Sequence, residues 1–210
     1  MAAMSHNEIH AHCLDAAADL SPELVEALHH VGPIILPRRN DRAFPDYLSR
    51  AIAGQQISVK AAASIWSRVE ALCGETALMQ FICPEQYDAL RGCGLSHAKA
   101  KTLITIAQAH QTDGLDTQRL EGLTPAERAA CLTELWGVGQ WTADMMNIFY
   151  FGEWDIWPDG DVAARKTLER LTSKRRKTVR SAARFKPYRS WLAYYMWAYV
   201  DAPPDGDASP

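Results

Sequence analysis

The sequence predicts an all-α fold, on three observations. Apolar residues recur at helical spacing in nearly every periodic segment. Capping residues, prolines and glycines bracket those segments as helix starts and stops. No alternating strand pattern of useful length appears, and Ile34-Ile35-Leu36 is too short to build a sheet. No repeat of solenoid period is present either.

The elements follow in order. Residues 60–72 place Ala62, Ile65, Trp66, Val69 and Leu72 on one face, with Gly74 as the stop. Residues 98–110 repeat the pattern with Leu103, Ile106 and Ala107. Thr124-Pro125-Ala126-Glu127 has the form of a capping box with proline at the first helical position. The helix it opens is expected to run to about Leu135 and stop at Gly137. A further helix is expected from Gln140 to near Gly152, with Trp141, Met145, Ile148 and Phe149 as its apolar positions. Another begins at Asp161 and carries Val162, Leu168 and Leu171. The last, around 188–200, is dense in aromatics: Tyr188, Trp191, Tyr194, Tyr195, Trp197 and Tyr199. Frayed structure is expected beyond Ala202, with residues 206–210 disordered.

Composition bounds the function classes. A chain of 210 residues, 48% hydrophobic and 22% charged, is globular and suits one domain or two small lobes. No apolar run approaches the ~20 residues that span a bilayer. The first eight residues lack the basic region and apolar core of a signal peptide, so a soluble cytoplasmic protein is expected, with no membrane partner. Cys13, Cys73, Cys83, Cys93 and Cys131 are odd in number and contain no Cys-x-x-Cys pair. That spacing argues against a disulfide framework, a zinc ribbon or an iron–sulfur loop, and for buried reduced thiols. His10, His12 and Cys13 resemble a metal cluster, but they lack a fourth ligand and fall in a segment expected to be mobile.

Net charge is −3, which weighs against nucleic-acid binding. The charge is unevenly placed, however. Lys174, Arg175, Arg176, Lys177, Arg180, Arg184, Lys186 and Arg189 follow one another with no acid between them. Such a stretch is either a phosphate-binding face or a solvated helical surface.

The segment Leu135-Trp136-Gly137-Val138-Gly139-Gln140-Trp141-Thr142-Ala143 carries the chemistry. A turn Gly137-Val138-Gly139 between two helices leaves amides at the start of the second helix without intrahelical partners. Those amides and the positive end of the helix dipole suit a phosphate, and glycines let it approach. Val138 pins such a turn by packing inward. Most Gly-x-Gly pairs merely end helices, so the flanking residues decide. Asp161, within Pro158-Asp159-Gly160-Asp161, is either an ordinary N-cap or an acid beside the sugar of a bound nucleotide, and capping would fix it for that second role. Asp159 reads as a turn residue.

These residues together resemble the helix-hairpin-helix (HhH-GPD) DNA glycosylase superfamily. The separation of 22 residues between Gly139 and Asp161 fits its pattern. Phe44 through Lys60, with Arg50 to Ala62 around Gly54-Gln55-Gln56-Ile57-Ser58-Val59, resembles the segment that meets the lesion, and Gly94-Leu95-Ser96-His97-Ala98-Lys99-Ala100 resembles a second loop. The resemblance spans about residues 40–200 and is closest to the 3-methyladenine DNA glycosylase II branch. It implies a two-lobed fold with the DNA and base cleft between the lobes. One lobe is expected over about 45–155 and the other over about 1–44 plus 156–205.

The resemblance also implies roles. Asp161 is the expected catalytic carboxylate, stabilising the positive charge that builds on the sugar and orienting the attacking water. Trp141, Met145 and Trp197 match the base pocket, although both tryptophans read equally as core. Met145 stands where relatives often have an aromatic residue. Gln56 matches the wedge that fills the gap left by a flipped base, or else caps a helix, and Ser58 reaches the minor groove. Gly137, Val138, Gly139 and Thr142 hold a DNA phosphate, with Lys99 and Arg165 as further phosphate contacts or solvated side chains. No cofactor is implied beyond a monovalent cation, Na+ or K+, on carbonyls of Trp136 and Gly139.

Relatives that also cut the strand carry a lysine two residues after the second hairpin glycine. That position is Trp141 here, which leaves no amine for a Schiff base there. The expected function is therefore hydrolytic excision of alkylated bases, chiefly 3-methyladenine and also 7-methylguanine, from duplex DNA in base-excision repair. A monomer acting at the nucleoid suffices for that task. Two alternatives stay open: a non-catalytic helix-hairpin-helix module, which needs neither Asp161 nor a pocket, and a glycosylase for oxidised or mismatched bases.

Overall fold

A computed structural model describes residues 5–202. The expected disordered tail, 206–210, lies outside the described residues. Thirteen α-helices and no strand are found among the described residues, and Ile34-Ile35-Leu36 is an extended loop. The chain divides into two compact units. Among the described residues, those up to Arg38 together with those from Gly152 form the first, and Arg39–Phe151 form the second.

The first unit contains α1 (His6–Ala18), α2 (Pro22–Val31), α11 (Val162–Leu171), α12 (Thr178–Ala182) and α13 (Arg189–Asp201). The segment expected to be mobile is helical. Ser5 caps α1 in a full capping box with Glu8, and Ile9, Cys13 and Ala17 bury one face. His10 Nδ1 and the Tyr195 hydroxyl are hydrogen-bonded at 2.6 Å, and His12 Nε2 lies 3.1 Å from the Lys186 carbonyl. These histidines thus serve the fold, and among the described residues no group of three or more His, Cys, Asp or Glu is placed to hold a metal ion. The aromatic density of α13 is mostly core. Trp191, Tyr195 and Tyr199 join Leu24, Leu28, Leu168 and Phe185 in one apolar cluster, with Trp197 half-buried against it.

The second unit contains α3 (Phe44–Gly54), α4 (Val59–Cys73), α5 (Leu78–Phe81), α6 (Tyr87–Gly92), α7 (His97–Gln111), α8 (Thr117–Glu121), α9 (Pro125–Thr133) and α10 (Gln140–Met145). The predicted capping box at Thr124 forms, but α9 ends at Thr133, two residues before the expected Leu135. On α4, Trp66 and Val69 are buried as expected while Leu72 is exposed, because Cys73 takes the inward position. After Met145 the chain widens into a π turn, Met146–Tyr150. All five cysteines are free; Cys13, Cys73 and Cys93 are buried, and Cys83 and Cys131 are half-buried.

An unforeseen charge organises this unit. Arg128 is 2% exposed, and its guanidinium donates to the Leu120 and Leu123 carbonyls at 2.9 Å and to Asn147 Oδ1 at 2.7 Å. It also lies over the Phe151 ring, 4.0 Å from its centroid. A buried cation persists only with its donors satisfied in this way. It joins the end of α8 and the loop after it to the π turn.

Candidate functional site

In the first unit the site is built around the turn Pro158–Asp161. Arg189 clamps the preceding loop, donating to both Asp155 carboxylate oxygens at 2.6 and 2.9 Å. Ser190 donates to the Glu153 carbonyl at 2.7 Å. The turn closes with Asp161 N–H donating to the Pro158 carbonyl at 2.8 Å. Asp159 accepts from Trp157 Nε1 and Thr178 Oγ1, as befits a turn residue.

Asp161 is the N-cap of α11 and is only 9% exposed. Its Oδ1 accepts from Ala164 N–H at 2.8 Å and from Trp197 Nε1 at 3.0 Å. The cap is therefore real, and the indole from α13 holds the same oxygen. A carboxylate fixed by two N–H donors and mostly withdrawn from water is pre-organised to stabilise positive charge beside it. Arg165, one turn along α11, faces Glu169 at 4.0 Å, a surface pair that takes up part of the charge expected on phosphate.

In the second unit the hairpin takes the expected form. Val138 is 4% exposed and pins the turn. Gly137 has φ +85° and packs so closely on Thr102 of α7 that a Cβ there would overlap the hydroxyl. Gly139 caps α10 without a side chain, and nothing lies within 4 Å of where its Cβ would be. The two glycines thus differ: Gly137 permits helix packing, and Gly139 leaves bare backbone open to a ligand. Trp136 is exposed, with Lys101 Nζ over its ring at 4.1 Å. The Gly139 carbonyl accepts from Ala143 N–H at 3.1 Å, which still leaves one lone pair for a cation.

The turn after α3 lies beside this hairpin. Gln55 Nε2 donates to Thr142 Oγ1 at 3.0 Å, so the hydroxyl expected on phosphate is buried and engaged. Gln56 is exposed with φ +58°, a left-handed backbone that few non-glycine residues adopt. Ser58 caps α4 by accepting from Ala61 N–H, and the exposed apolar side chains here are Ile57 and Val59. Lys99 departs from expectation. Its Nζ donates to the Ala53 carbonyl at 2.9 Å and the Gln55 carbonyl at 2.7 Å, and burial lowers its pKa. An ammonium held by carbonyls at the end of α3 braces the strained turn. Lys99→Met should lower folding stability by about 1–2 kcal/mol, since it strips two carbonyls of a charged donor. Urea denaturation reads this directly, and an unchanged midpoint would refute the brace.

Trp141 departs from the core placement that its periodicity suggests. Helical periodicity groups it with inward residues, yet it is 38% exposed, because it stands in the first turn of α10. It borders a hollow of about 330 Å³ with Arg39, Tyr47, Arg50 and Gln55. Met145 is buried at 8%. Sequence reasoning missed Tyr47, Arg39 and Gln55, and also Asp144, which is buried, accepts from Gln140 Nε2 at 2.8 Å and has its pKa raised by burial. Tyr47 and Gln55 lay within the segment from Phe44 to Lys60 that had drawn notice, and Asp144 within the helix expected from Gln140.

The sequence profile of the HhH-GPD superfamily of base excision DNA repair proteins matches residues 49–187. The chain belongs to this superfamily. DNA-3-methyladenine glycosylase 1 of Schizosaccharomyces pombe is 31% identical to this HhH-GPD protein over 161 residues, covering 71% of this chain and 69% of that one. DNA-3-methyladenine glycosylase 2 of Escherichia coli is 28% identical over 173 residues, covering 74% and 57%. Among solved structures, the S. pombe 3-methyladenine DNA glycosylase (Mag1) in complex with abasic DNA has a TM-score of 0.75 at 26% identity, over 93% of this chain and 98% of that one. A DNA-3-methyladenine glycosidase from Bacillus halodurans has a TM-score of 0.77 at 25% identity, over 95% and 92%. No helix among the described residues is long and apolar enough to cross a membrane.

Proposed function

We propose that this protein excises alkylated bases, chiefly 3-methyladenine and also 7-methylguanine, from double-stranded DNA by hydrolysis, without strand-cutting lyase chemistry. The observation that carries the reading is Asp161, buried, capped and held by Trp197. The names of the relatives and the abasic DNA bound to Mag1 support the substrate class.

The chemistry follows from the residues. The bond between sugar C1′ and the base nitrogen breaks, and its electron pair neutralises the cationic alkylated ring. Asp161 stabilises the positive charge left on the sugar, and water adds at C1′ and loses a proton to the carboxylate or to solvent. A cationic base leaves readily, so no strong general acid is required. Stacking on Trp141 and Trp197 offsets the few kcal/mol of flipping and attracts the cation. The Gln56 turn fills the vacated stack, the hairpin from Gly137 to Gly139 holds a phosphate, and its Trp136 and Gly139 carbonyls would hold a monovalent cation. Trp141 stands where a lyase would need its lysine, so the product is an intact strand with an abasic site. One copy acting on DNA suffices.

Chromatography of the bases released from methylated DNA tests the reading. Free 3-methyladenine and 7-methylguanine are expected, and no covalent adduct should form under borohydride. Absence of alkylated bases would overturn the activity, and a trapped adduct would overturn the hydrolytic mechanism.

A further inference from the structure

The structure sorts the basic stretch into two kinds of cation. Arg189 is bound bidentately to Asp155, and Arg184 meets Asp19 at 3.0 Å. Both are partnered within the fold. Arg175, Arg176, Lys177 and Arg180 are exposed and, with Ser173, line a surface hollow of about 410 Å³ that contains no carboxylate. Their side chains form no ion pair among the described residues. Four like charges held around one hollow repel one another, an arrangement that an anionic ligand relieves.

The hollow is physically attached to the catalytic turn. Thr178, the first residue of α12, lies between Lys177 and Arg180 and donates to Asp159 Oδ1 at 2.9 Å. Asp159 sits two residues before Asp161 in the Pro158–Asp161 turn, and α11 leads from Asp161 back to the basic loop. Asp159 therefore links this loop to the turn that carries the proposed catalytic carboxylate.

We propose that this hollow is a binding subsite for DNA backbone phosphates, distinct from the hairpin, which holds the strand beside the turn bearing Asp161. The proposal rests on the reading of this chain as a DNA-acting enzyme. Guanidinium forks suit phosphate oxygens, and displaced counterions make such contacts salt-dependent.

Two variants of equal charge test it. Arg175→Gln/Arg176→Gln removes two cations from the hollow, and Arg184→Gln/Lys186→Gln removes two outside it. Affinity for undamaged duplex is measured against salt concentration. The first variant should bind more weakly, with its log–log salt slope reduced by about 1.8, or about 0.9 per phosphate contact. The second should leave the slope near that of the wild type. An unchanged slope in the first variant, or equal changes in both, would overturn the subsite. Because undamaged DNA is the probe, this outcome is separate from any failure of base release.

Discussion

Asp161→Asn should lower single-turnover release of 3-methyladenine by about 10²–10⁴-fold, the range associated with removing one positioned charge or acid–base group. The amide keeps the shape of the carboxylate, and its oxygen still accepts from Ala164 N–H. Asparagine caps helices as well as aspartate does, so α11 should stay intact and thermal stability nearly unchanged. The lost quantity is the negative charge beside C1′. Affinity for methylated duplex should persist, which separates catalysis from binding. Asp161→Ala is a poorer probe, because it also removes the cap, worth ~1 kcal/mol. Rapid-quench measurement of base release, with DNA affinity and melting temperature measured alongside, gives the answer. A variant within threefold of wild type would remove Asp161 from the mechanism.

Gly137→Ala should cost about 2–4 kcal/mol of stability and weaken DNA binding, while Gly139→Ala should affect binding alone. At Gly137 two penalties combine. The backbone sits at φ +85°, where a Cβ is strained, and that Cβ would overlap Thr102 Oγ1 and lie 3.0 Å from its Cβ and Cγ2. Thr102 cannot swing aside, because it is buried and its hydroxyl donates to the Ala98 carbonyl at 2.9 Å. The hairpin or α7 must shift. Gly139 has φ −95° and open space where its Cβ would be, so alanine there should leave the fold unaltered and obstruct only an approaching phosphate. Urea denaturation and DNA titration of the two variants separate these effects. Equal stability losses would show that Gly139 also serves packing, and normal DNA affinity in Gly139→Ala would remove it from the phosphate contact.

The signals that proved legible are short-range. Thr124 and Glu127 cap one helix across three residues, Asp161 caps another through Ala164, and Val138 buries between its glycines. What misled were residues whose neighbours are distant in sequence. Trp141 shares a helical face with Met145, yet the start of α10 leaves its ring exposed beside Tyr47 and Arg50. The helix α1 escaped notice because its buried face consists of only Ile9, Cys13 and Ala17, with His10 turned inward to Tyr195. Buried Arg128 reads in the sequence as one more surface charge.

The sequence by itself determined the helical class, the hairpin, the Asp161 cap and the absence of a lysine at Trp141. Each depends on residues within about four positions, where backbone geometry and hydrogen bonding are local. Only the tertiary structure decided which groups those local pieces meet. Trp197 reaches Asp161 across 36 residues, Gln55 reaches Thr142 across 87, and Lys99 reaches the end of α3 across 46. The same holds for the basic stretch, whose cations became either paired or open only when Asp155 and Asp19 were brought to Arg189 and Arg184. Side-chain partners at such separations are chosen by packing, because the free energy of each contact exists only once the helices have docked.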